Sequence, residues 1–107
     1  MYIMKKHDKY IERDDLKGAN HLHVSVYYDK GGANYFSGGT IPRGYYVSVT
    51  PVTKGNGMIS YAMFTGRKQF LFETARFSAK QFARAVDMAK DVEDELIAVV
   101  VEENKAA

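Results

Sequence analysis

The apolar residues of this 107-residue chain change period partway along it, from every second position to every third or fourth. No single kind of secondary structure accommodates both periods, so the chain must be part sheet and part helix. Across residues 21–28, Leu22, Val24, Val26 and Tyr28 fall on one side, while His21, His23, Ser25 and Tyr27 fall on the other. Such alternation of β-branched and aromatic residues reads as a half-buried strand. A second strand is expected over 45–52, with Tyr45, Val47 and Val49 opposite Tyr46, Ser48 and Thr50. Pro42 and Pro51 bound it, and proline is tolerated at strand ends. Lys54-Gly55-Asn56-Gly57 follows; Asn-Gly between two strand-like runs marks a type I′ hairpin, whose central positions need positive φ. The third strand is expected over 58–65.

Beyond Gly66 the period becomes helical: Leu71, Ala75, Ser78, Phe82, Ala85, Ala89, Val92, Leu96 and Val99 step by three or four. A helix running unbroken over 67–103 would be about 55 Å long, roughly twice the width of so small a domain. Ser78 and Gln81 supply a break, since they fit a capping box, and Phe77 and Phe82 sit where a hydrophobic staple needs them. A helix is therefore expected over 78–102. Residues 67–76 read as a separate short helix, or as a strand in which Phe70 and Phe72 alternate. Residues 96–101 are β-branched, but no glycine or proline parts them from the helix, and they are read as its end.

Residues 1–20 are poorly patterned; Tyr2, Ile3, Tyr10, Ile11 and Leu16 could anchor a short helix or an edge segment. Between the first two strands, two Gly-Gly pairs bracket Tyr35 and Phe36, as a long loop or a short extra strand. The expected architecture is one α+β domain: a three-stranded, or four-stranded, antiparallel meander over 21–65, then one or two C-terminal helices over 67–103 packed on one face. Phe82, Val86, Ala89 and Leu96 should meet Val24, Val26, Val47 and Val49.

Residue types exclude much chemistry. Without cysteine there is neither a disulfide framework nor a thiolate metal site. His21 and His23 share a strand face, but a metal needs a third ligand, and His7 lies in the unpatterned segment. Asp14 and Asp15 are adjacent and should diverge; the C-terminal acids step along a helix as a solvated face. No serine sits in a G-x-S-x-G elbow, and the glycine pairs lack the Gly-Lys-Ser/Thr of a phosphate loop. No catalytic residue, metal, cofactor or small-molecule substrate is indicated, and the chain reads as a non-enzyme. The first sixteen residues have no apolar core of a signal peptide, and no run approaches the roughly 20 apolar residues of a membrane span. A soluble, cytoplasmic protein is expected.

Charge supplies the one hint of a partner. From Lys30 to Val86 eight bases face a single acid, Glu73, a balance of +7. From Asp87 onward seven acids face two lysines, a balance of −5. The two blocks either neutralise each other in the fold or present a basic surface to an acidic partner. Six of the eight tyrosines lie between residues 27 and 61, on the expected sheet and its loop. A sheet face showing Tyr27, Tyr46 and Tyr61, with Lys30, Arg43, Arg67 and Lys68 at strand ends and Tyr35 and Phe36 on the glycine-rich loop, is suited to stacking and holding single-stranded nucleic acid. The same tyrosines could serve only cross-strand packing, so a protein-interaction or homodimerisation module is the alternative.

Two segments carry a resemblance: residues 23–28 through Asn34-Tyr35-Phe36, and residues 43–52. Together with residues 60–66 and Lys68-Gln69 they resemble small proteins carried on conjugative and other mobile elements of gut Firmicutes. That resemblance covers roughly residues 21–100 and implies no known activity; by association alone it favours a DNA-handling or host-modulating accessory role. At the level of fold, sheet followed by helix is similar to the positive-cofactor family of single-stranded-DNA-binding proteins, in which a curved antiparallel sheet precedes a dimerising helix. The likeness implies that Gly66-Arg67-Lys68 opens the last strand and Ser78 the helix. The chain departs from that pattern in showing three clear strands rather than four, and in a segment 67–76 that reads better as helix.

Overall fold

The computed structural model describes residues 6–33, 38–55, 57–61 and 66–105. Tyr35 and Phe36, Asn56 of the hairpin and residues 62–65 of the expected third strand lie outside the described residues. The elements are β1 (Lys6–Glu12), β2 (His21–Asp29), β3 (Gly32–Ala33), β4 (Thr40–Ile41), β5 (Gly44–Gly55), β6 (Met58–Tyr61), β7 (Arg67–Glu73) and α1 (Ala79–Glu103). All strand pairings are antiparallel, in the order β1-β2-β5-β6, with β7 also against β5. The small β3–β4 ladder stands apart as a second sheet. An antiparallel sheet followed by one helix is the α+β architecture expected.

Of the two readings open for residues 1–20 the structure shows the edge segment, and the helical reading of residues 67–76 is corrected. Residues 6–12, in the poorly patterned segment, form the edge strand β1, pairing Ile11 with Leu22 and Lys9 with Val24. Residues 67–73 are strand β7, not helix. β5 is long enough to carry two partners on one edge: residues 52–55 pair β6 and residues 44–49 pair β7. β6 and β7 therefore occupy one strand track, the fourth of the sheet.

Leu22, Val24, Val26 and Tyr28 of β2 lie opposite Pro51, Val49, Val47 and Tyr45 of β5, on the face that α1 covers. Ala85, Ala89, Val100 and Val101 of the helix are buried against them, and Phe82, Val86, Val92, Leu96 and Ile97 pack around. Small residues at 85 and 89 let the helix axis approach the valines of the sheet closely. The helix starts as expected: Ser78 is extended, its Oγ accepts from the Gln81 amide at 3.1 Å, and the Phe77 and Phe82 rings lie 5.8 Å apart. Its far end is tied down too, the Lys17 amide donating to the Asn104 carbonyl at 2.8 Å. Among the described residues no helix is long and apolar enough to cross a membrane.

Tyr45 joins the two layers. Its ring is fully buried among Tyr28, Phe72, Phe77 and Phe82. Its hydroxyl donates to the Ser78 carbonyl at 3.0 Å and accepts from the Ser78 amide at 3.1 Å. Tyr45→Phe keeps the ring and strands the Ser78 amide, at an expected cost of about 1–3 kcal/mol. Urea unfolding followed by circular dichroism checks this; an unchanged midpoint would remove the hydroxyl from the account.

Candidate functional site

The face of the sheet away from α1 carries a different chemistry. Alternation sends Tyr10 of β1, His23, Ser25 and Tyr27 of β2, Tyr46, Ser48 and Thr50 of β5, and Lys68 and Phe70 of β7 to this side. The register sets them in rungs across the strands. Tyr27 pairs with Tyr46 and Tyr46 with Phe70; Ser25 pairs with Ser48 and Ser48 with Lys68; Tyr10 pairs with His23. Among the described residues no helix or other strand packs on this face.

The first rung is a continuous aromatic ladder. Tyr27 and Tyr46 stack with centroids 5.8 Å apart and planes within 16°, and Phe70 lies tilted 5.2 Å from Tyr46. Lys68 Nζ stands 5.3 Å from the centre of the Tyr46 ring, close enough for a cation–π contact. Tyr46 is only 4% exposed, and its hydroxyl donates to the Pro42 carbonyl at 2.6 Å. It is the fixed centre of the ladder rather than a free surface. Tyr27 is half-buried, and Phe70 is 38% exposed. Gly44 is needed beside the ladder: a Cβ there would meet the Phe72 carbonyl oxygen and come within 2.9 Å of the Phe70 ring. The second aromatic rung stacks Tyr10 on His23 at 4.7 Å, with Lys54 Nζ 4.8 Å from the Tyr10 centre. His23 Nε2 lies 2.8 Å from Asp8 Oδ1, and His21 Nδ1 lies 2.8 Å from Asn20 Oδ1. Asp15 is held by both the Nε and Nη2 of Arg13; that pairing keeps its carboxyl below the usual carboxylate range.

The residues singled out in the sequence divide into four groups. Tyr27, Tyr46 and Lys68 meet on this face. Lys30 and Arg43 lie together at the end of the sheet, where Arg43 Nε donates to the Lys30 carbonyl at 2.8 Å and Nη1 to the Ala75 carbonyl at 3.2 Å. Arg67 pairs with Val49 and belongs to the opposite, helix-covered side, where its guanidinium bonds Glu103. The structure therefore separates Arg67 from the tyrosines, and one element of the basic block is neutralised by the acidic end. Tyr61 stands opposite Val52 in the β5–β6 ladder, with its side chain outside the described residues, as are Tyr35 and Phe36. Phe70, Tyr10 and Arg76 were missed. The alternation of Phe70 with Phe72 was the available signal for the first.

No family model, curated protein or solved structure matches the chain.

Burial pushes the Tyr27 phenol up to about 12, and the charge of Asp29 and the neighbouring Tyr46 push the same way. Tyr46 is shifted upward by burial and by Asp29. A raised folded value means that the folded chain holds its proton where the unfolded chain has lost it. The stability that Tyr27 contributes is thus complete below pH 10 and is lost as pH rises through about 12. Absorbance at 295 nm against pH should show tyrosine ionisation extending to about pH 12, with that last step absent from Tyr27→Phe. Complete titration near the ordinary tyrosine value would show that the ladder does not shield the phenol.

Proposed function

We propose that this is a non-enzymatic binding protein that holds single-stranded nucleic acid across the helix-free face of its sheet. The observation that carries the reading is the Tyr27–Tyr46–Phe70 ladder, registered across three strands, with Lys68 above it and Phe70 exposed at its end. Bases stack on aromatic faces whatever their sequence, and lysines beside them meet the phosphates. Tyr46 serves as support, Phe70 and Tyr27 as the stacking surface, and Lys68 and Lys54 as the cations nearest the rungs. Tyr61, Tyr35 and Phe36 keep their place in this reading by sequence alone.

A second reading, a homodimer or protein-interaction module, is favoured by a different observation. Val99 is 41% exposed beside the half-buried Met88, Val92 and Leu96, an apolar stripe along one flank of α1. Among the described residues β7 is paired only through β5, which leaves its outer edge open.

Fluorescence anisotropy of labelled oligothymidylate at two salt concentrations separates the two. Micromolar or tighter binding that weakens steeply with salt is expected, because each neutralised phosphate releases counterions. Phe70→Ala should cost about 1–3 kcal/mol of affinity, and Lys68→Gln should flatten the salt slope by roughly one. No binding at low salt, together with a dimeric mass by sedimentation, would overturn the first reading in favour of the second.

A further inference from the structure

At the end of the sheet where β2 gives way to the glycine-rich loop, a cleft of about 420 Å³ opens between Tyr28, Lys30, Arg43, Ala75, Arg76 and Phe77. Its volume lies within the roughly 300–1,000 Å³ of small-ligand sites. Its walls are cationic and its floor aromatic; among the described residues no carboxylate lines it. Arg43 is held by two carbonyl oxygens, of Lys30 and Ala75, which fix the plane of its guanidinium without cancelling its charge. Among the described residues neither Arg43 nor Arg76 forms an ion pair. Two unpaired guanidinium groups at one cleft repel each other, a cost that an anionic ligand would offset. The positive end of α1 begins three residues beyond Arg76, with no acid in its first turn to oppose the field.

The backbone around the cleft is built to hold this arrangement. Gly31 has φ +73°, and a Cβ there would come within 2.5 Å of the Ile41 carbonyl oxygen and 2.9 Å of the Arg43 amide. The turn can therefore close against Arg43 only with glycine at this position. Asp29, the nearest acid in sequence, is occupied in the same turn, its Oδ1 accepting from the Gly31 amide at 2.8 Å.

We infer that this cleft binds a phosphate group, with the Arg43 and Arg76 guanidiniums and the Lys30 ammonium meeting its oxygens and Tyr28 and Phe77 packing against what the phosphate carries. Guanidinium forks match the oxygens of a phosphate, and such charge-assisted bonds are the strong ones. The cleft is distinct from the aromatic ladder and does not depend on strand binding there. The phosphate group has two sources, the terminal phosphate of a nucleic-acid strand and a small free phosphate compound.

Amide and arginine side-chain resonances of the ¹⁵N-labelled full chain, titrated with inorganic phosphate, test the site. The expected result is saturable movement at residues 30–31 and 75–78, and a Kd weakened about tenfold in Arg76→Gln, the loss of one charge-assisted hydrogen bond. Arg76 makes no ion pair among the described residues, so that variant should keep the dispersed spectrum of the folded chain, with Lys30→Gln as a second. Movement of the same resonances by a 5′-phosphorylated oligothymidylate, but not by its 5′-hydroxyl counterpart, would assign the source to a strand end. Movement by inorganic phosphate alone would assign it to a small free compound. Strand binding on the helix-free face reports separately, through the amides of 68–70, so either reading can fail while the other stands. Linear, unsaturated drift with phosphate, or equal affinity in Arg76→Gln, would overturn the inference.

Discussion

The fold hangs on the contact between one buried phenol and one helix cap. Tyr45 and Ser78 are thirty-three residues apart, and two hydrogen bonds between them close that loop at the point where sheet chemistry becomes helix chemistry. The Ser78 amide sits at the helix start, where N–H groups lack partners within the helix, while the Ser78 carbonyl also accepts the first helical bond, from the Phe82 amide at 2.9 Å. A serine hydroxyl satisfies one amide of the first turn, and the Tyr45 hydroxyl attends to the cap's own backbone. Around this polar pin the rings of Phe72, Phe77 and Phe82 exclude water, and there a hydrogen bond is stronger and its loss more costly. The start of α1 is thus fixed at the beginning of β5, and its direction decides which face of the sheet is core.

Ion pairs then fix how the helix lies across the strands. Lys9 of β1 reaches Glu93 on one flank, and Arg67 of β7 reaches Glu103 near the other end. Each is an exposed or half-exposed pair, so neither contributes much stability on its own. Their value is positional, since they tie the helix to both edge tracks of the sheet. They also account for part of the charge segregation in the chain, because acids of the C-terminal block are spent against bases from earlier strands. What they leave is informative: Lys68, Arg43 and Arg76 have no carboxylate partner among the described residues, and these side chains border the ladder or the cleft.

How much could be read in advance follows from how faithfully each segment keeps its period. β2 and residues 45–50 of β5 alternate in polarity, and their two faces, including the side that Tyr27 shares with Tyr46, follow directly from the sequence. The helix was equally plain, because Ser78, Gln81, Phe77 and Phe82 announce its start. β1 was obscured because an edge strand buries little: Lys9 and Asp8 make their contacts at its rim, and only Ile11 gives the core an apolar anchor. The ladder end and the cleft were legible only in pieces: Lys30 and Arg43 stood out as bases at strand ends, and the alternation of Phe70 with Phe72 hinted at a strand. Both depend on residues brought together over long separations, Phe70 onto Tyr46 and Arg76 beside Arg43.

β7 shows most clearly why periodicity fails where the site is made. Phe70 and Phe72 are two residues apart, and in a regular strand both would point to the same face. They do not, because the register shifts between Tyr45 and Tyr46: Phe70 pairs with Tyr46 on the helix-free face, and Phe72 with Tyr45 on the helix face. The extra residue, Leu71, is the bulge, and it breaks the alternation into a spacing that imitates a helix. Without the bulge one ring would be lost, either the Phe72 that shelters the Tyr45–Ser78 pin or the Phe70 that extends the ladder. A single inserted residue thus lets one strand serve the core and the outer face with two phenylalanines only two positions apart. The bare Cα of Gly44 opposite supplies the room that the Phe70 ring and the Phe72 carbonyl require.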